Sequence, residues 1–321
     1  MKLRTLGKTG KQVSELGFGC WAIGGNSYGA TNDDESLKAL AYAYDQGITF
    51  YDTADIYGNG HSETLIGQTF QASSKRLKVF IASKVGWDFY HGGTKKDFSS
   101  DYIRFACGES LKRLKTDYID LYQLHNPAPE VIEDGKMFTA LEALKKEGKI
   151  LHYGISIHTK RDGEAAIKNG KSEAIQVIFN LIDQRPVKDL FPLTDKQSIG
   201  IIAREPLACG VLSGKYTKES MFGKLDHRVR WKREKFEQDL EKAKRISDAF
   251  NTARTPIKQA AIEYVLSFKS VSAVIPGMKT VQHVADHLKA VNVPRLSTKE
   301  ISDIRELYES DQLFQEGFYR N

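Results

Sequence analysis

The sequence has 321 residues, of which 40% are hydrophobic and 27% charged, and a formal net charge of +6. This is ordinary globular composition, with ample apolar material for a core. The positive excess is mild and diffuse, which argues against nucleic acid as a partner. No stretch approaches the roughly 18 apolar residues of a membrane span, and residues 1–10 lack the apolar run of a signal peptide.

Three widely separated cysteines, Cys20, Cys107 and Cys209, are typical of reduced thiols in a cytoplasmic protein. The eight histidines show no close pairing with them, so no metal site is expected. The densest basic run covers residues 224–235 and allows two interpretations. It is either a solvated loop that leads into a charged helix or a basic flap over an anionic cofactor.

The first elements are a hairpin, a strand and a helix. Residues 1–16 contain two short alternating runs around Gly7 and Gly10, which predicts a β-hairpin. A short strand follows at 16–19. Residues 33–47 then predict a helix that ends at Gly47. Its apolar face is expected to carry Leu37, Leu40, Ala41 and Tyr44.

A strand-then-helix unit then repeats along the chain. The predicted strands are 49–52, 78–84, 118–125, 150–156, 174–180, 199–205 and 271–277. The first four strands are followed in turn by the segment 62–70, a helix around Ile103, Ala106 and Leu114, a helix from about 130 to 147, and a helix that ends at Gly170. The last three strands are followed by the segment 186–195, a longer excursion, and a helix with Val281, Val284, Ala285 and Leu288. The excursion holds the basic run and a polar helix near 234–250.

Two further helices complete the chain. One begins at Pro256, with an apolar stripe of Ile257, Ala260, Ala261, Tyr264, Val265 and Phe268, and the last covers about 298–310. Eight apolar strands that alternate with helices indicate a parallel sheet, because parallel strands need crossover connections. The predicted fold is an α/β (β/α)₈ TIM barrel with an N-terminal β-hairpin and an extra C-terminal helix, since such barrels take about 250 residues. A doubly wound open sheet is the alternative. No Pro/Ser-rich linker interrupts the pattern, so residues 1–321 are predicted to form one domain.

Polar residues stand at the ends of three consecutive predicted strands. Asp52, Lys84 and His125 occupy these ends, and Tyr57 follows Asp52 in a Gly-flanked loop. In a TIM barrel the chemistry lies at the C-terminal ends of the strands, so these side chains can converge. A buried carboxylate requires a partner, and Lys84 supplies the cation for Asp52. Taken singly, each could be a turn cap, a surface or a rim residue, but their coincidence favours a site.

Such a group suits general acid catalysis. A tyrosine hydroxyl has a pKa of about 10, and a neighbouring ammonium is expected to lower it. Asp52 would hold Lys84, His125 would orient the substrate oxygen, and Tyr57 would protonate an alkoxide. No GxSxG stretch occurs, and no cysteine neighbours a histidine at these strand ends. A hydride donor is therefore required, which implies a nicotinamide cofactor.

Three motifs resemble those of the aldo-keto reductase superfamily: DTADIYGNGHSETLIG at 52–67, ASK at 82–84 and LYQLHNP at 121–127. The similarity extends from the N-terminal hairpin through LGFGCWAIGG to IPGMKT. It implies a catalytic tetrad of Asp52, Tyr57, Lys84 and His125, with Tyr57 as the acid–base. It also implies NADPH or NADH, bound extended over the barrel mouth without a Rossmann domain. In agreement, GFGCWAIGG does not fit GxGxxG.

The resemblance also implies cofactor and substrate contacts. Ser156 is kept after the fifth strand, but Ile157 replaces the family's asparagine. Arg204 stands where relatives place an aromatic ring, and its planar guanidinium can also stack. The remaining expected cofactor residues are Gln176 and Asn180 for the nicotinamide amide, Pro206, Leu207, Gly210, Ser213 and Lys215 for the pyrophosphate, and Gly277, Lys279, Thr280, His283 and His287 for the adenosine end. Trp21, Trp87 and Asn126 are expected to line the substrate mouth, or simply to pack there.

The sequence thus predicts an NADP(H)-dependent aldo-keto reductase that interconverts carbonyls and alcohols. Its expected partner is a small carbonyl compound, an aldehyde, ketone or sugar. Two alternatives stay open. One is a nucleotide-sensing regulatory barrel like those that serve channels, and the other is a sugar or polyol dehydrogenase of the same fold.

Overall fold

The computed structural model describes residues 1–25, 27–249, 256–292 and 296–315. Twelve strands lie within these residues. In chain order they are β1 (Leu3–Thr5), β2 (Gln12–Ser14), β3 (Phe18–Gly19), β4 (Phe50–Asp52), β5 (Phe80–Val85), β6 (Trp87–Asp88), β7 (Lys95–Lys96), β8 (Ile119–His125), β9 (Ile150–Ser156), β10 (Ala174–Ile178), β11 (Gly200–Arg204) and β12 (Val271–Ile275).

Eight of the strands in the described residues form one parallel sheet, in the order β3, β4, β5, β8, β9, β10, β11, β12. Two parallel bridges, between Leu16 and Val274 and between Gly19 and Gly277, join the first edge of this sheet to the last. The sheet therefore closes on itself. The predicted (β/α)₈ barrel is confirmed, and the alternative of an open sheet is wrong.

Helices surround the barrel and connect its strands. Within the described residues they are α1 (Asp33–Asp45), α2 (His61–Phe70), α3 (Ser73–Arg76), α4 (Ser100–Leu114), α5 (Pro129–Asp134), α6 (Met137–Lys146), α7 (Lys160–Asn169), α8 (Arg185–Asp189), α9 (Phe191–Lys196), α10 (Arg233–Ala249), α11 (Ile257–Leu266), α12 (Val281–Asn292), α13 (Thr298–Ser310) and α14 (Gln312–Gln315). Short 3₁₀ helices cover Gly7–Thr9, Ala22–Gly24, Ala208–Ser213 and His227–Arg230. None of the described helices is both long and apolar enough to cross a membrane.

Two apolar clusters stabilise this arrangement. The larger fills the layer between the strands and the helices. The smaller lies inside the barrel, where Phe50, Phe80 and Leu121 pack with Leu6 and Val13 from the β1–β2 hairpin. The hairpin, which the sequence predicts, thus closes the N-terminal end of the barrel. Each buried aliphatic or aromatic side chain contributes about 1.5–3 kcal/mol to the free energy of unfolding.

The structure corrects two helix predictions. The predicted helix from about 130 to 147 is two helices, because Gly135 adopts φ 71° and ends α5 before α6 begins. A left-handed glycine terminates a helix without the steric penalty of a Cβ. In α1 the fully buried residues are Ser36, Ala39, Leu40 and Ala43 rather than the predicted set, of which only Leu40 is fully buried. The end of the predicted polar helix, residue 250, lies outside the described residues.

Candidate active site

A buried ion pair lies at the C-terminal ends of β4 and β5. Lys84 Nζ donates hydrogen bonds to Asp52 Oδ1 at 2.6 Å, to the Thr53 carbonyl at 2.8 Å and to the Tyr57 hydroxyl at 3.3 Å. Lys84 and Asp52 are only 0% and 3% exposed. Burial lowers the pKa of Lys84, but Asp52 and Tyr57 more than offset this and leave the pKa raised. Lys84 is therefore an ammonium at neutral pH.

Close backbone packing holds the loop that carries Tyr57. Gly58 adopts φ 63°, and a Cβ at this position would come within 2.1 Å of the Gly24 carbonyl oxygen. A Cβ at Gly24 would likewise meet the backbone of Tyr57 and Gly58 at 2.9 Å. The two glycines let the turn after β3 lie directly against this loop. Trp21, at the start of that turn, stacks on the Tyr57 ring with centroids 6.0 Å apart.

The acidity of Tyr57 differs from the sequence-based expectation. Burial raises the pKa of Tyr57 above its usual value of 10, and Lys84 only partly opposes this effect. Asp52 also raises this pKa, because its negative charge disfavours a phenolate nearby. The expected net lowering of the pKa is therefore wrong for the protein alone. Tyr57 is therefore protonated at neutral pH. A general acid must be in this state to donate its proton.

His125 stands at the end of β8, with its ring edge-on to Tyr57 and the two centroids 5.9 Å apart. Burial, followed by the charges of Lys84 and Arg204, lowers the pKa of His125 well below its usual value. The imidazole is thus neutral and keeps one N–H to donate. Its Nδ1 is buried and has no hydrogen-bond partner among the described residues. A neutral imidazole beside the phenol can orient a substrate oxygen without competing for the proton.

Two glutamines hold the free oxygen of Asp52. Gln123 Nε2 donates to Asp52 Oδ2 at 3.1 Å, and Gln176 Nε2 donates to the same oxygen at 2.6 Å. The sequence interpretation misses Gln123. Side-chain alternation offers a signal, because Leu121, Gln123 and His125 share one face of β8. Gln176 was predicted to contact the nicotinamide amide, and that role stays a prediction.

Among the other residues predicted near the nicotinamide, Ser156 and Arg204 are the last residues of β9 and β11, and Asn180 follows β10. Ser156 Oγ donates to Asn126 Oδ1 at 2.5 Å. Asn180 donates to the Glu205 carbonyl at 3.0 Å and accepts backbone N–H groups from the following turn. Arg204 donates to Glu205 Oε1 at 2.8 Å and to the Ile157 carbonyl at 3.1 Å. These contacts hold the guanidinium at the strand end.

The loop after β11 contains several residues in the left-handed conformation. Positive φ angles occur at Glu205 (56°), Ala208 (47°), Cys209 (53°) and Gly210 (98°). Successive N–H groups in such a loop can point into one concavity, which suits a phosphate. Pro206 and Leu207 lie within this loop, and Ser213 and Lys215 follow it.

Two lysines, Lys279 and Lys215, lie near the start of α12. Lys279 Nζ donates to the Tyr28 carbonyl at 3.0 Å and to the Ala30 carbonyl at 3.3 Å, while Thr280 Oγ1 accepts the His283 N–H. Burial, then Lys215 and Lys279, lowers the pKa of His283, so this ring carries little charge at neutral pH. Burial lowers the pKa of His287 to about 4, and its Nε2 lies 3.4 Å from the Gly277 carbonyl oxygen.

Part of the basic run at 224–235 packs against the segment that follows β3. Asp226 forms an antiparallel bridge with Tyr28, and the His227 N–H donates to the Ser27 carbonyl at 2.9 Å. Arg228 is buried, pairs with Asp226 through two hydrogen bonds and lies over the Phe222 ring at 4.3 Å. Residues 226–228 are therefore packed, whereas Lys224, Arg230, Lys232 and Arg233 are exposed and the run leads into α10. Most of the run thus agrees with the interpretation of a solvated loop before a charged helix, and a role as a flap over a cofactor stays a prediction.

The predicted substrate residues lie around this mouth. The Trp21 ring contacts His227 at 4.8 Å as well as Tyr57. Trp87 begins the β6–β7 hairpin, and Lys96 Nζ lies 5.2 Å from its ring centroid. Asn126, directly after His125, adopts φ 54°. No group of three His, Cys, Asp or Glu side chains in the described part of the chain is placed to hold a metal ion.

Comparison with known proteins identifies the family. The family model for the aldo/keto reductase family matches residues 15–309. The chain belongs to this family. The uncharacterized oxidoreductase YqkF of Bacillus subtilis is 32% identical over 314 residues, which cover 95% of this chain and 96% of that protein. Membership indicates an oxidoreductase.

Solved structures give the same result for the fold. The aldo-keto reductase AKR11C1 of Bacillus halodurans, in its holo form, superposes with a TM-score of 0.82 at 30% identity and covers 96% of both chains. An aldo/keto reductase of Klebsiella pneumoniae in complex with NADP and acetate superposes with a TM-score of 0.74 at 25% identity and covers 97% of both chains. Members of this family thus include proteins that bind NADP.

Proposed function

We propose that this protein is an NADPH-dependent aldo-keto reductase that interconverts a small carbonyl compound and its alcohol, with Tyr57 as the acid–base. The observation that carries the proposal is the Lys84 ammonium, which donates to Asp52 at 2.6 Å and to the Tyr57 hydroxyl at 3.3 Å. This geometry supports proton transfer at a phenol oxygen and offers no activated nucleophile.

In the reducing direction, the carbonyl oxygen of the substrate binds between Tyr57 and His125. The neutral imidazole donates to it and fixes its position, and the Tyr57 hydroxyl then gives up its proton as the oxygen becomes an alkoxide. Lys84 stabilises the phenolate that remains, because an ammonium beside a phenolate lowers the free energy of the charged form. A bound nicotinamide supplies the hydride. Asp52, held by Gln123 and Gln176, keeps Lys84 charged and in place.

The residues present fit an extended NADP(H) molecule. The loop at 205–210, rich in left-handed residues, is proposed to bind the pyrophosphate through backbone N–H groups that it does not use itself. The Ala208 and Gly210 N–H groups already donate to the Glu205 and Leu207 carbonyls. Lys279, with Lys215 nearby, offers positive charge at the start of α12, where a helix N-terminus also favours an anion. Both features support the proposed cofactor, and the NADP complex of the Klebsiella pneumoniae relative supports it further.

The decisive experiment is a turnover screen. Purified protein is mixed with NADPH and a panel of aldehydes, ketones and sugars, and the decrease in NADPH absorbance is followed. We expect steady turnover with at least one aldehyde. If NADPH binds but no carbonyl compound or alcohol is converted, the protein is a nucleotide-sensing barrel rather than a reductase.

A second prediction concerns the choice between NADPH and NADH. The 2′-phosphate of NADPH is expected to bind Lys279, so the wild type should bind NADPH more tightly than NADH. A charge-assisted contact corresponds to about 10–100-fold in affinity. Lys279→Ala should lose most of this preference, mainly by weaker NADPH binding. Fluorescence titration of both cofactors against both proteins measures the effect.

Lys289→Ala is the matched control for this prediction. Lys289 lies within α12, the helix that follows Lys279, and pairs with Asp286 at 3.1 Å, so its removal takes one lysine charge from the same region of the chain. This variant should keep the wild-type preference. Equal affinity of the wild type for both cofactors would contradict the prediction, as would a Lys279→Ala variant with unchanged preference.

A further inference from the structure

One ammonium at the barrel mouth, that of Lys96, forms no direct ion pair within the described residues. Lys96, on β7, donates from Nζ to the Asn126 carbonyl at 2.5 Å, and its Nζ lies over the Trp87 ring. No carboxylate among the described residues comes within ion-pair distance of it. An ammonium has three N–H donors, so two are left for another acceptor.

The nearby carboxylates are already occupied. Asp162 interacts with Lys96 only at longer range, and its Oδ2 accepts the backbone N–H groups of His158 and Thr159 at the start of α7. Glu205 pairs with Arg204 at 2.8 Å. Lys96 therefore places a positive charge at the mouth that no carboxylate in the described part of the chain contacts directly. Partial burial lowers the pKa of Lys96, as expected for a cation that has lost part of its hydration.

Asn126 adds a second donor at the same position. Its Oδ1 accepts from Ser156, which orients the side chain and leaves the NH₂ group without a hydrogen bond to the described residues. Asn126 follows His125 directly in the chain, and the charge of Lys96 acts on the His125 ring. Both residues therefore lie at the same end of β8 as the proposed carbonyl-binding group. A carboxylate or phosphate accepts hydrogen bonds from both kinds of donor.

We propose that the preferred substrate is a carbonyl compound that carries a negatively charged group, a carboxylate or a phosphate, and that Lys96 with Asn126 binds this group. The inference rests on the proposed reductase function and specifies its substrate class. The Trp87 ring forms the apolar side of the same subsite. Lys96 determines specificity and takes no part in proton or hydride transfer.

The alternative to this assignment is a purely structural one, in which Lys96 only fixes the β6–β7 hairpin to the end of β8. The two roles differ in one measurable quantity, the ratio of kcat/KM for an anionic substrate to kcat/KM for a neutral one of the same shape. Loss of a structural contact lowers both values alike and leaves the ratio unchanged. Loss of an anion contact lowers the ratio.

Two matched pairs of substrates provide this ratio: 4-carboxybenzaldehyde with methyl 4-formylbenzoate, and D-glyceraldehyde 3-phosphate with D-glyceraldehyde. NADPH consumption is measured for each. We expect the wild type to favour the anionic member of at least one pair, and that preference to fall about tenfold in Lys96→Met, the size of one charge-assisted contact. Lys96→Arg keeps the charge and should retain most of the preference.

Lys95→Met is the control, because it removes the same charge from the adjacent residue of β7. Its ratio should equal that of the wild type. Turnover without anionic preference in either pair overturns the inference but leaves the proposed function intact. An unchanged ratio in Lys96→Met also overturns it. Absence of turnover with every carbonyl compound would contradict the proposed function itself.

Discussion

Tyr57→Phe is expected to lose nearly all turnover and to bind NADPH almost as the wild type does. Tyr57 supplies the one phenol hydroxyl to which Lys84 donates in the described structure, at 3.3 Å. General acid–base catalysis accelerates reactions by about 10²–10⁴-fold, so kcat should fall by that factor. The ring that stacks on Trp21 is retained, so the shape of the mouth is preserved. Steady-state kinetics and a fluorescence titration with NADPH measure the two effects.

Tyr28→Phe provides the control for this variant. Tyr28 is a second phenol at the same mouth, and its ring lies 5.1 Å from that of Trp21. Removing its hydroxyl changes the aromatic cluster as little as Tyr57→Phe does, yet should leave most of the turnover. A Tyr57→Phe variant that keeps more than half of the wild-type kcat would exclude Tyr57 as the acid.

The barrel and the convergence of its strand ends are predictable from sequence for a physical reason. In a (β/α)₈ barrel, strands that follow one another along the chain are also neighbours in space. Asp52, Lys84 and His125 end the neighbouring strands β4, β5 and β8, so their proximity follows from their chain order. The packing of Tyr57 against Gly24 depends on loop geometry and does not follow from chain order.

Contacts between distant loops and the depth of burial were harder to predict. His227 forms a hydrogen bond with the Ser27 carbonyl, 200 residues earlier in the chain. Lys96 donates a hydrogen bond to the Asn126 carbonyl from a hairpin whose strands have only two residues each. Such contacts leave no periodic pattern in the sequence. The raised pKa of Tyr57 has a similar origin, because the balance between burial and Lys84 depends on how much protein surrounds the hydroxyl. The pattern of residue types along the sequence does not tell how deeply a hydroxyl is buried.

Lys84→Met is expected to lower kcat by about 10²-fold or more, since Lys84 stabilises the phenolate form of Tyr57. The removal of Lys84 should also change the pH dependence of the reaction rate. Alcohol oxidation needs Tyr57 deprotonated, so its rate rises with pH towards the pKa of Tyr57. Lys84 lowers that pKa, and its removal should move the rising limb to higher pH. Rate–pH profiles for alcohol oxidation measure this shift.

Folding must be separated from catalysis in this experiment. Lys84→Met leaves Asp52 as an unpaired buried carboxylate, and breaking a buried ion pair costs about 3–5 kcal/mol of stability. The double variant Asp52→Asn/Lys84→Met removes both charges and should unfold closer to the wild-type temperature, while its kcat stays as low as that of Lys84→Met. Asp52→Asn alone keeps the ammonium and should be milder. A well-folded double variant with wild-type kcat and an unmoved pH profile would refute the role of Lys84 in setting the acidity of Tyr57.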